Sequence, residues 1–351
     1  MSVRAKLIIA HLFGWIVIIT RSMCLNRRLT MISAIENPVT LSTKNRFRVE
    51  NDKFFVKAND SLAIEVRVSR PKRVLSRLGG GKSLLFIHGS GAGGWVFEEH
   101  WLPFFAAMGF DAYTLSLRGS FATGFKDTPG ANRKGATVSQ HISDIKDVIR
   151  KIYKRGGGKG PIILGHSFGG LLVSKLLEDS EGRALIQGAG WLCSLPPTGQ
   201  GPMSQRFLYT RFPQTINILR AFLFGQINNK KLNRQIFYDS SVTDDKLAEY
   251  MARLALDAGG KPDLADVESA LPSRNLNPDG SATWLSAPGS RRLKFFVLGS
   301  NDDYIVDPQA VLETAKYVDA KPVLIDGPGH NIMLGERWRV AADQILLWLK
   351  Q

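Results

Sequence analysis

The amino-acid sequence predicts a doubly wound α/β fold, in which helices cover both faces of a mostly parallel sheet. Short continuous apolar runs bounded by turn residues recur along the chain, and such runs are typical of strands buried on both faces. Helical patterns lie between several of these runs, and alternating strands and helices indicate a parallel sheet. With 351 residues, the chain is long enough for one large α/β domain or two ordinary ones.

The strands are predicted to begin after about residue 50. Two strands around a turn are predicted at 54–60 and 62–70, the second from the alternation of Leu62, Ile64 and Val66 with polar residues. The apolar runs that predict buried strands follow at 83–89, 110–117, 161–167, 184–195, 293–300 and 322–327.

Helical periodicity separates these strands. At 141–153 the apolar residues repeat so that they share one face of a helix, and 331–350 closes the chain with the same kind of pattern. The stretch 197–288 breaks the alternation, because it contains amphipathic segments and no clear strand. It is too rich in Leu, Phe and Ala for a long disordered loop, so we expect a mostly helical insertion there. The residues on the apolar face of 141–153 are Ile142, Ile145, Val148, Ile149 and Ile152.

The formal net charge of +15 is concentrated towards the start of the chain. Residues 1–82 contain 16 Lys and Arg against 5 Asp and Glu, whereas the remaining residues contain 30 against 26. A nucleic-acid-binding domain carries its basic patch on the folded body, so we expect no nucleic-acid partner. The basic excess instead indicates a targeting segment or an association with a membrane surface.

Residues 1–48 have the composition of a leader. The apolar run at 7–20 is too short for a comfortable membrane span and suits the core of a signal peptide, and the residues after it are rich in Arg, Ser and Thr. A signal core followed by a transit-like segment is the two-part leader of algae with complex plastids. A signal anchor, or translation that starts at Met31, are the alternatives. The segment predicts the secretory pathway, a plastid or a membrane as the location, and we expect it to be dispensable for catalysis.

The sequence gives no sign of a metal or an organic cofactor. Cys24 and Cys193 form no CxxC pair and no disulfide framework, and the six histidines lack the spacing of zinc ligands. We therefore expect chemistry that uses side chains and backbone groups alone.

The most informative short motif is GHSFG at 165–169. A strand-like run precedes it and a helical pattern follows it, which is the context of a nucleophile elbow, a strained turn that presents a serine between a strand and a helix. Gly165, Gly169 and Gly170 supply the small residues that such a turn needs. Ser167 is therefore the predicted nucleophile, and the alternative is an ordinary serine in a glycine-rich connection.

Five motifs, in order, resemble those of the α/β-hydrolase superfamily over roughly residues 55–350. They are FIHGSGAGGWVF (86–97), LRGS (117–120), GHSFG (165–169), LGSNDDYIVDP (298–308) and GPGHNIML (327–334). The segment SLPPTG (194–199) also resembles one group of small capped serine hydrolases of esterase or lipase type. The resemblance implies an eight-stranded, mostly parallel sheet, with a core of residues 49–196 and 289–351 and a helical cap at 197–288.

The superfamily's chain order of nucleophile, acid and histidine implies that His330 is the base for Ser167, because it alone follows the acid-bearing loop. Two adjacent aspartates are candidates for the acid that orients this histidine. Asp303 is favoured over Asp302 by its distance from the apolar pair that follows, and Asp307 is expected to cap the next helix.

The resemblance also implies an oxyanion hole formed by the backbone N–H groups of Phe168 and Ser90. His166 is expected to point away from the Ser167 hydroxyl and to pack within the elbow. His88 is expected to hold the backbone of the loop that carries Ser90.

These residues predict a serine hydrolase that cleaves a carboxylic ester or a related acyl substrate through an acyl-enzyme. A serine in the elbow argues against the dehalogenase and epoxide-hydrolase branches, which place an aspartate there. An acyltransferase, a perhydrolase and a lyase use similar machinery, and a non-catalytic small-molecule receptor is the alternative from a different class. The composition of the predicted cap favours an apolar substrate. The sequence predicts neither the chain length of that substrate nor the oligomeric state of the protein.

Overall fold

The structure is a computed structural model of the chain. It describes residues 49–72, 79–123, 135–222, 224, 226–257, 262–288, 290 and 293–351. The predicted leader at 1–48 lies outside the described residues.

Eight strands form one mixed sheet. They are β1 (Val49–Lys57), β2 (Ala63–Pro71), β3 (Ser83–Ile87), β4 (Asp111–Leu115), β5 (Ile162–His166), β6 (Gly188–Leu192), β7 (Lys294–Ser300) and β8 (Pro322–Ile325). Their spatial order is β1-β2-β4-β3-β5-β6-β7-β8. The pairs β1–β2 and β2–β4 are antiparallel, and every pair from β4 to β8 is parallel. The predicted fold class, a doubly wound and mostly parallel eight-stranded sheet, is confirmed.

Helices lie on both faces of this sheet. They are α1 (Trp101–Ala107), α2 (Val138–Arg155), α3 (Phe168–Glu178), α4 (Ser180–Ala184), α5 (Gln200–Thr210), α6 (Phe212–Phe222), α7 (Lys230–Phe237), α8 (Asp244–Leu256), α9 (Leu264–Ser269), α10 (Pro308–Tyr317) and α11 (Trp338–Leu349). The helices α2 and α3 share one apolar core with the sheet, while α1 and α11 share a second core on its other face.

Helix α2 packs on the sheet with the apolar face that the sequence predicts. Its predicted apolar face is buried, since Ile145, Val148 and Ile149 expose none of their surface and belong to the first core. A capping box begins the helix, because the Thr137 side chain accepts from the Gln140 backbone and the Gln140 side chain accepts from the Thr137 backbone. Burial of each such side chain contributes on the order of 1.5–3 kcal/mol, so this face fixes α2 against the sheet.

Three predicted elements have wrong boundaries, and the first is the strand predicted at 54–60, which spans Val49–Lys57 instead. The apolar run at 184–195 predicts one strand, but helix α4 ends at Ala184 and β6 begins only at Gly188. The helix predicted from 331 begins at Trp338 instead. A positive φ of 78° at Gly335 is incompatible with a helix. The residues between His330 and Gly335 form turns instead.

The stretch between β6 and β7 is helical, as the sequence predicts. It contains α5 to α9 and three short 3₁₀ segments at 226–228, 272–274 and 283–286. Met203 and Phe207 of α5 are buried in the first core, so this insertion packs on the body of the fold. None of the described residues forms a helix of the length and apolarity needed to cross a bilayer.

The connection from β5 to α3 depends on glycines that allow backbone to approach backbone. A side chain at Gly169 would place its Cβ 2.7 Å from the carbonyl oxygen of His88 and closer still to that of Ile87, at the end of β3. At Gly165 a Cβ would overlap the backbone of Gly169, and at Gly170 it would overlap the Ser194 side chain. The first turn of α3 therefore lies directly against β3, and only glycine fits.

We expect Gly169→Ala to destabilise the fold, because neither carbonyl group can move away without disturbing β3. Overpacking of this kind costs about 1–3 kcal/mol or more. The matched control is Gly201→Ala in α5, where an added Cβ meets no atom within 4 Å. Urea denaturation of the two variants checks the prediction. Equal midpoints for the two variants would contradict it.

Candidate active site

Ser167 lies on a strained turn between β5 and α3. Its φ of 53° and ψ of −120° lie outside the regions that a residue with a side chain ordinarily adopts. The turn is held by its backbone, since the Ser167 N–H donates to the Leu192 carbonyl at 3.0 Å and the Ser167 carbonyl accepts from Gly170 and Leu195 at 3.0 and 3.2 Å. The residue itself is half-buried. These bonds therefore fix the Ser167 backbone at the carboxyl edge of the sheet.

His330 and Asp303 form a buried hydrogen bond. The Nδ1 atom of His330 lies 2.8 Å from Oδ2 of Asp303, and both side chains are almost fully buried. The other oxygen, Oδ1, accepts from the backbone N–H groups of Ile305 and Val306 at 2.7 and 2.9 Å. Burial alone would raise the pKa of Asp303, but His330 and these hydrogen bonds lower it below its usual value. Asp303 is therefore held as a carboxylate that can orient the imidazole ring.

The neighbouring aspartates occupy different environments. Asp302 is exposed, and its Oδ2 accepts from the Gly327 backbone N–H at 2.5 Å. It thereby holds the turn that precedes His330, whereas the ring itself is bonded to Asp303. Asp307 caps α10 by accepting from the Ala310 N–H at 3.0 Å, which confirms the prediction, and it pairs with Arg206 at 2.8 Å.

Two further histidines fasten the loops around the site. The buried His166 donates from Nε2 to the backbone carbonyl of His330 at 2.9 Å, and burial lowers its pKa to about 3. His88 accepts from the Leu117 N–H at Nε2 (2.9 Å), so its Nδ1–H donates to the Gly89 carbonyl at 2.8 Å. Burial also lowers the pKa of His88. His88 thus holds the backbone of its loop, as the sequence predicts, and His166 joins the elbow to the His330 loop.

The loop after β3 lies beside Ser167. An added Cβ at Gly89 would be 3.0 Å from the Ser167 Cβ and 3.4 Å from its Oγ, so the backbone of this loop reaches the hydroxyl. Ser90 follows at an exposed position, and Phe168 is the first residue of α3. Within the described residues, neither the Ser90 nor the Phe168 backbone N–H donates to an acceptor. Both groups belong to loops at the carboxyl edge of the sheet, and their role as oxyanion donors stays a prediction.

Asp257 is a residue that the sequence pattern did not identify. It lies just beyond α8, yet its Oδ2 accepts from the Trp95 indole N–H at 2.8 Å and its Oδ1 from the Phe121 backbone N–H at 2.7 Å. The carboxylate also lies 2.9 Å from where a Cβ on Gly93 would be. Asp257 is buried, so it fixes the insertion to the glycine loop that carries Ser90. Its partners lie 162 and 136 positions away in the chain, which no local pattern signals.

The insertion also supplies an aromatic wall beside His330. The Asn331 N–H donates to the Phe237 carbonyl at 2.9 Å, and the ring centroids of Phe237 and His330 are 6.4 Å apart. Tyr238 is buried and stacks on Tyr250 at 5.5 Å. The end of α7 therefore places an aromatic ring beside the imidazole, and Tyr250 of α8 packs behind it on Tyr238.

Among the described residues, the elbow that carries Ser167 adjoins the loop of the Asp303–His330 pair, because His166 donates to the His330 carbonyl, but the Ser167 hydroxyl makes no hydrogen bond with the His330 ring. Groups of three or more His, Cys, Asp or Glu side chains that could hold a metal ion are absent from this described part. An imidazole held by a carboxylate can activate a hydroxyl as a nucleophile, and backbone N–H groups can stabilise an oxyanion.

Comparisons with known proteins agree with this fold. Residues 84–344 match the model of the alpha/beta hydrolase family. The chain is similar to an esterase from Exiguobacterium antarcticum (16% identity, TM-score 0.57, covering 86% of this chain and 100% of that one). It is also similar to 2-hydroxy-6-oxo-6-phenylhexa-2,4-dienoate hydrolase from Rhodococcus sp. strain RHA1 (15%, 0.55, 86% and 100%) and to epoxide hydrolase VrEH1 from Vigna radiata (15%, 0.55, 86% and 98%). No curated protein sequence matches the chain.

We expect Asp257→Asn to loosen the glycine loop, because an amide cannot accept at both of its heavy atoms and leaves one buried donor unpaired. This loss costs about 1–3 kcal/mol. Hydrogen exchange of the backbone amides at 90–97 should become faster in Asp257→Asn. The control is Asp245→Asn, an exposed aspartate in α8, for which exchange at 90–97 should not change. Unchanged exchange in Asp257→Asn would show that the carboxylate does not hold the loop.

Proposed function

The chain belongs to the alpha/beta hydrolase family, and from this premise we propose that it is a serine hydrolase of carboxylic esters or related acyl substrates. One observation carries the proposal. The buried hydrogen bond between His330 and Asp303 lies next to the strained turn of Ser167, because the His166 ring that precedes Ser167 donates to the His330 carbonyl at 2.9 Å. A merely structural serine turn needs no oriented imidazole beside it.

In the proposed reaction the Ser167 hydroxyl attacks the acyl carbonyl while His330 takes its proton at Nε2. Asp303 accepts the Nδ1–H of the same ring, which leaves Nε2 as the proton acceptor and stabilises the imidazolium that forms. The imidazolium then gives the proton to the leaving group, and the acyl-enzyme is released by water that the same imidazole activates.

The proposed oxyanion hole uses two backbone groups. The Phe168 N–H lies at the N-terminus of α3, where the helix dipole favours negative charge. The Ser90 N–H comes from the loop after β3, which His88 and Asp257 fasten from two sides. A single donor of this kind is worth about 10²–10³ in turnover.

We propose that the insertion at 197–288 is the cap of this site and selects an apolar substrate. Phe237 lies against the His330 ring, and the insertion is joined to the glycine loop through Asp257. Aromatic and aliphatic walls favour an apolar acyl or alcohol group. The structurally similar protein from Exiguobacterium antarcticum is an esterase, and this likeness supports ester cleavage as the class of reaction.

The proposal is tested with p-nitrophenyl esters from acetate to palmitate. Ser167→Ala should lower hydrolysis by about 10⁴–10⁶ while the protein stays folded by circular dichroism. Ser240→Ala is the control, because Ser240 is an exposed serine of the insertion. Full activity of Ser167→Ala on these esters would contradict the proposal.

The two adjacent aspartates provide a second test. The amide of Asp303→Asn has the shape of the carboxylate, but it can turn its NH₂ group towards the His330 ring. Turnover should therefore fall by about 10⁴. Asp302→Asn is the matched control, because its carboxylate only holds the turn at Gly327, and it should be milder by orders of magnitude. Steady-state kinetics on one ester measure both variants. A larger loss for Asp302→Asn would show that the acid is misassigned.

A further inference from the structure

The outer surface of the insertion exposes an unusual number of large apolar side chains. Five of them are 40–69% accessible and lie within sixteen consecutive residues of α5, α6 and the segment after α6. We call this set the insertion patch. It consists of Tyr209, Phe212, Ile216, Phe222 and Phe224.

The packing of α6 places two members of the patch, Phe212 and Ile216, on the outer side of the helix. Thr215 and Ala221 are buried, and Asn217 donates to the Tyr304 hydroxyl at 2.9 Å, so this side of α6 packs on the protein. Phe212 and Ile216 are four residues apart and therefore share the opposite side of the helix. The exposed side of a surface helix is ordinarily polar, whereas the exposed side of α6 carries Phe212 and Ile216.

The charge of the same region has one sign. Residues 200–238 contain six Lys and Arg and no Asp or Glu. Arg206 and Arg234 are neutralised by Asp307 and Asp244 from outside this region. The other four have no carboxylate within ion-pair distance among the described residues, and they are Arg211, Arg220, Lys230 and Lys231.

We propose that the insertion patch is a docking surface for an anionic lipid bilayer. Exposed aromatic and aliphatic side chains insert at the boundary between headgroups and acyl chains, and neighbouring cations bind the anionic headgroups. Exposed rings flanked by unneutralised Lys and Arg are the combination that such an interface requires. This surface is separate from the predicted leader, since every residue of it lies in the insertion.

The same features disfavour the other occupants. A symmetric contact with a second copy would place two acid-free, positively charged faces against each other. A nucleic acid needs a row of cations along its backbone, but the exposed side of α6 alternates Phe212 and Ile216 with only one cation, Arg220. A bilayer alone offers both negative charge and an apolar interior over a broad surface.

The patch is also connected to the candidate site. The ring of Phe222 lies 6.1 Å from that of Phe237, which in turn lies 6.4 Å from His330. Docking would therefore bring the cap side of the site to the lipid surface. If the proposed hydrolase function holds, this arrangement delivers apolar acyl substrates from the bilayer, but the docking itself does not depend on that function.

The experiment uses the full chain, with a fluorescent probe that reports where the bilayer is touched. An environment-sensitive dye is attached at Thr210→Cys in a Cys24→Ser background, because Thr210 is exposed just before Phe212 and Cys193 is buried. We expect a blue shift with vesicles of phosphatidylcholine and phosphatidylglycerol, and a much smaller one with phosphatidylcholine alone. The same dye at Lys57→Cys, on the edge strand β1, should not shift. A dye at residue 210 that stays unchanged while the protein sediments with the vesicles would overturn the proposal.

Matched variants separate the apolar and charged contributions. We make the double variants Phe212→Ser/Ile216→Ser and Lys230→Glu/Lys231→Glu. Each should raise the lipid concentration that gives half of the dye response by at least about tenfold. Phe55→Ser is the apolar control, because Phe55 is 54% exposed on β1, and Lys57→Glu is the charge control. All of these positions are exposed, so circular dichroism should stay unchanged. Equal responses of patch and control variants overturn the proposal, as does a patch variant that instead changes the sedimentation coefficient or the binding of single-stranded DNA.

Discussion

The carboxyl ends of the parallel strands β3 to β8 meet at one edge of the sheet, and the candidate site is built on that edge. Ser167 follows β5, the aspartate loop follows β7 and the histidine loop follows β8. Parallel strands end at the same edge of the sheet. Residues that follow different strands therefore become neighbours there, although they lie far apart in the chain. The strand order is what allows the Asp303–His330 hydrogen bond to form beside Ser167.

Burial of polar groups at this edge is tolerated because nearly all of them are paired. Asp303 uses both oxygens, one on His330 and one on backbone N–H groups, while His88 and His166 stay neutral and each bonds a carbonyl. A buried charge without such partners is strongly destabilising. The same contacts join the loops to one another, because His88, His166 and Asp303 each bond a neighbouring loop.

Local patterns in the sequence predict the fold class, the elbow and the histidine, because these depend on periodicity, on glycine spacing and on chain order. Helix boundaries near the site are predicted less well. The loop from His330 to Arg337 carries apolar residues at helical spacing, yet Gly335 and the contact with Phe237 keep it out of α11. Asp257 and the exposed insertion patch depend on tertiary contacts, which determine that an aspartate is buried and that a phenylalanine is not.

The central claim is that Ser167 is a nucleophile activated by the His330–Asp303 pair. It is tested most directly by reacting the folded protein with a fluorophosphonate and mapping the adduct by peptide mass spectrometry. The account predicts one adduct per chain, on Ser167, forming far more slowly when His330 is replaced by Ala. Modification of a different serine, or no reaction of the folded protein, would contradict it.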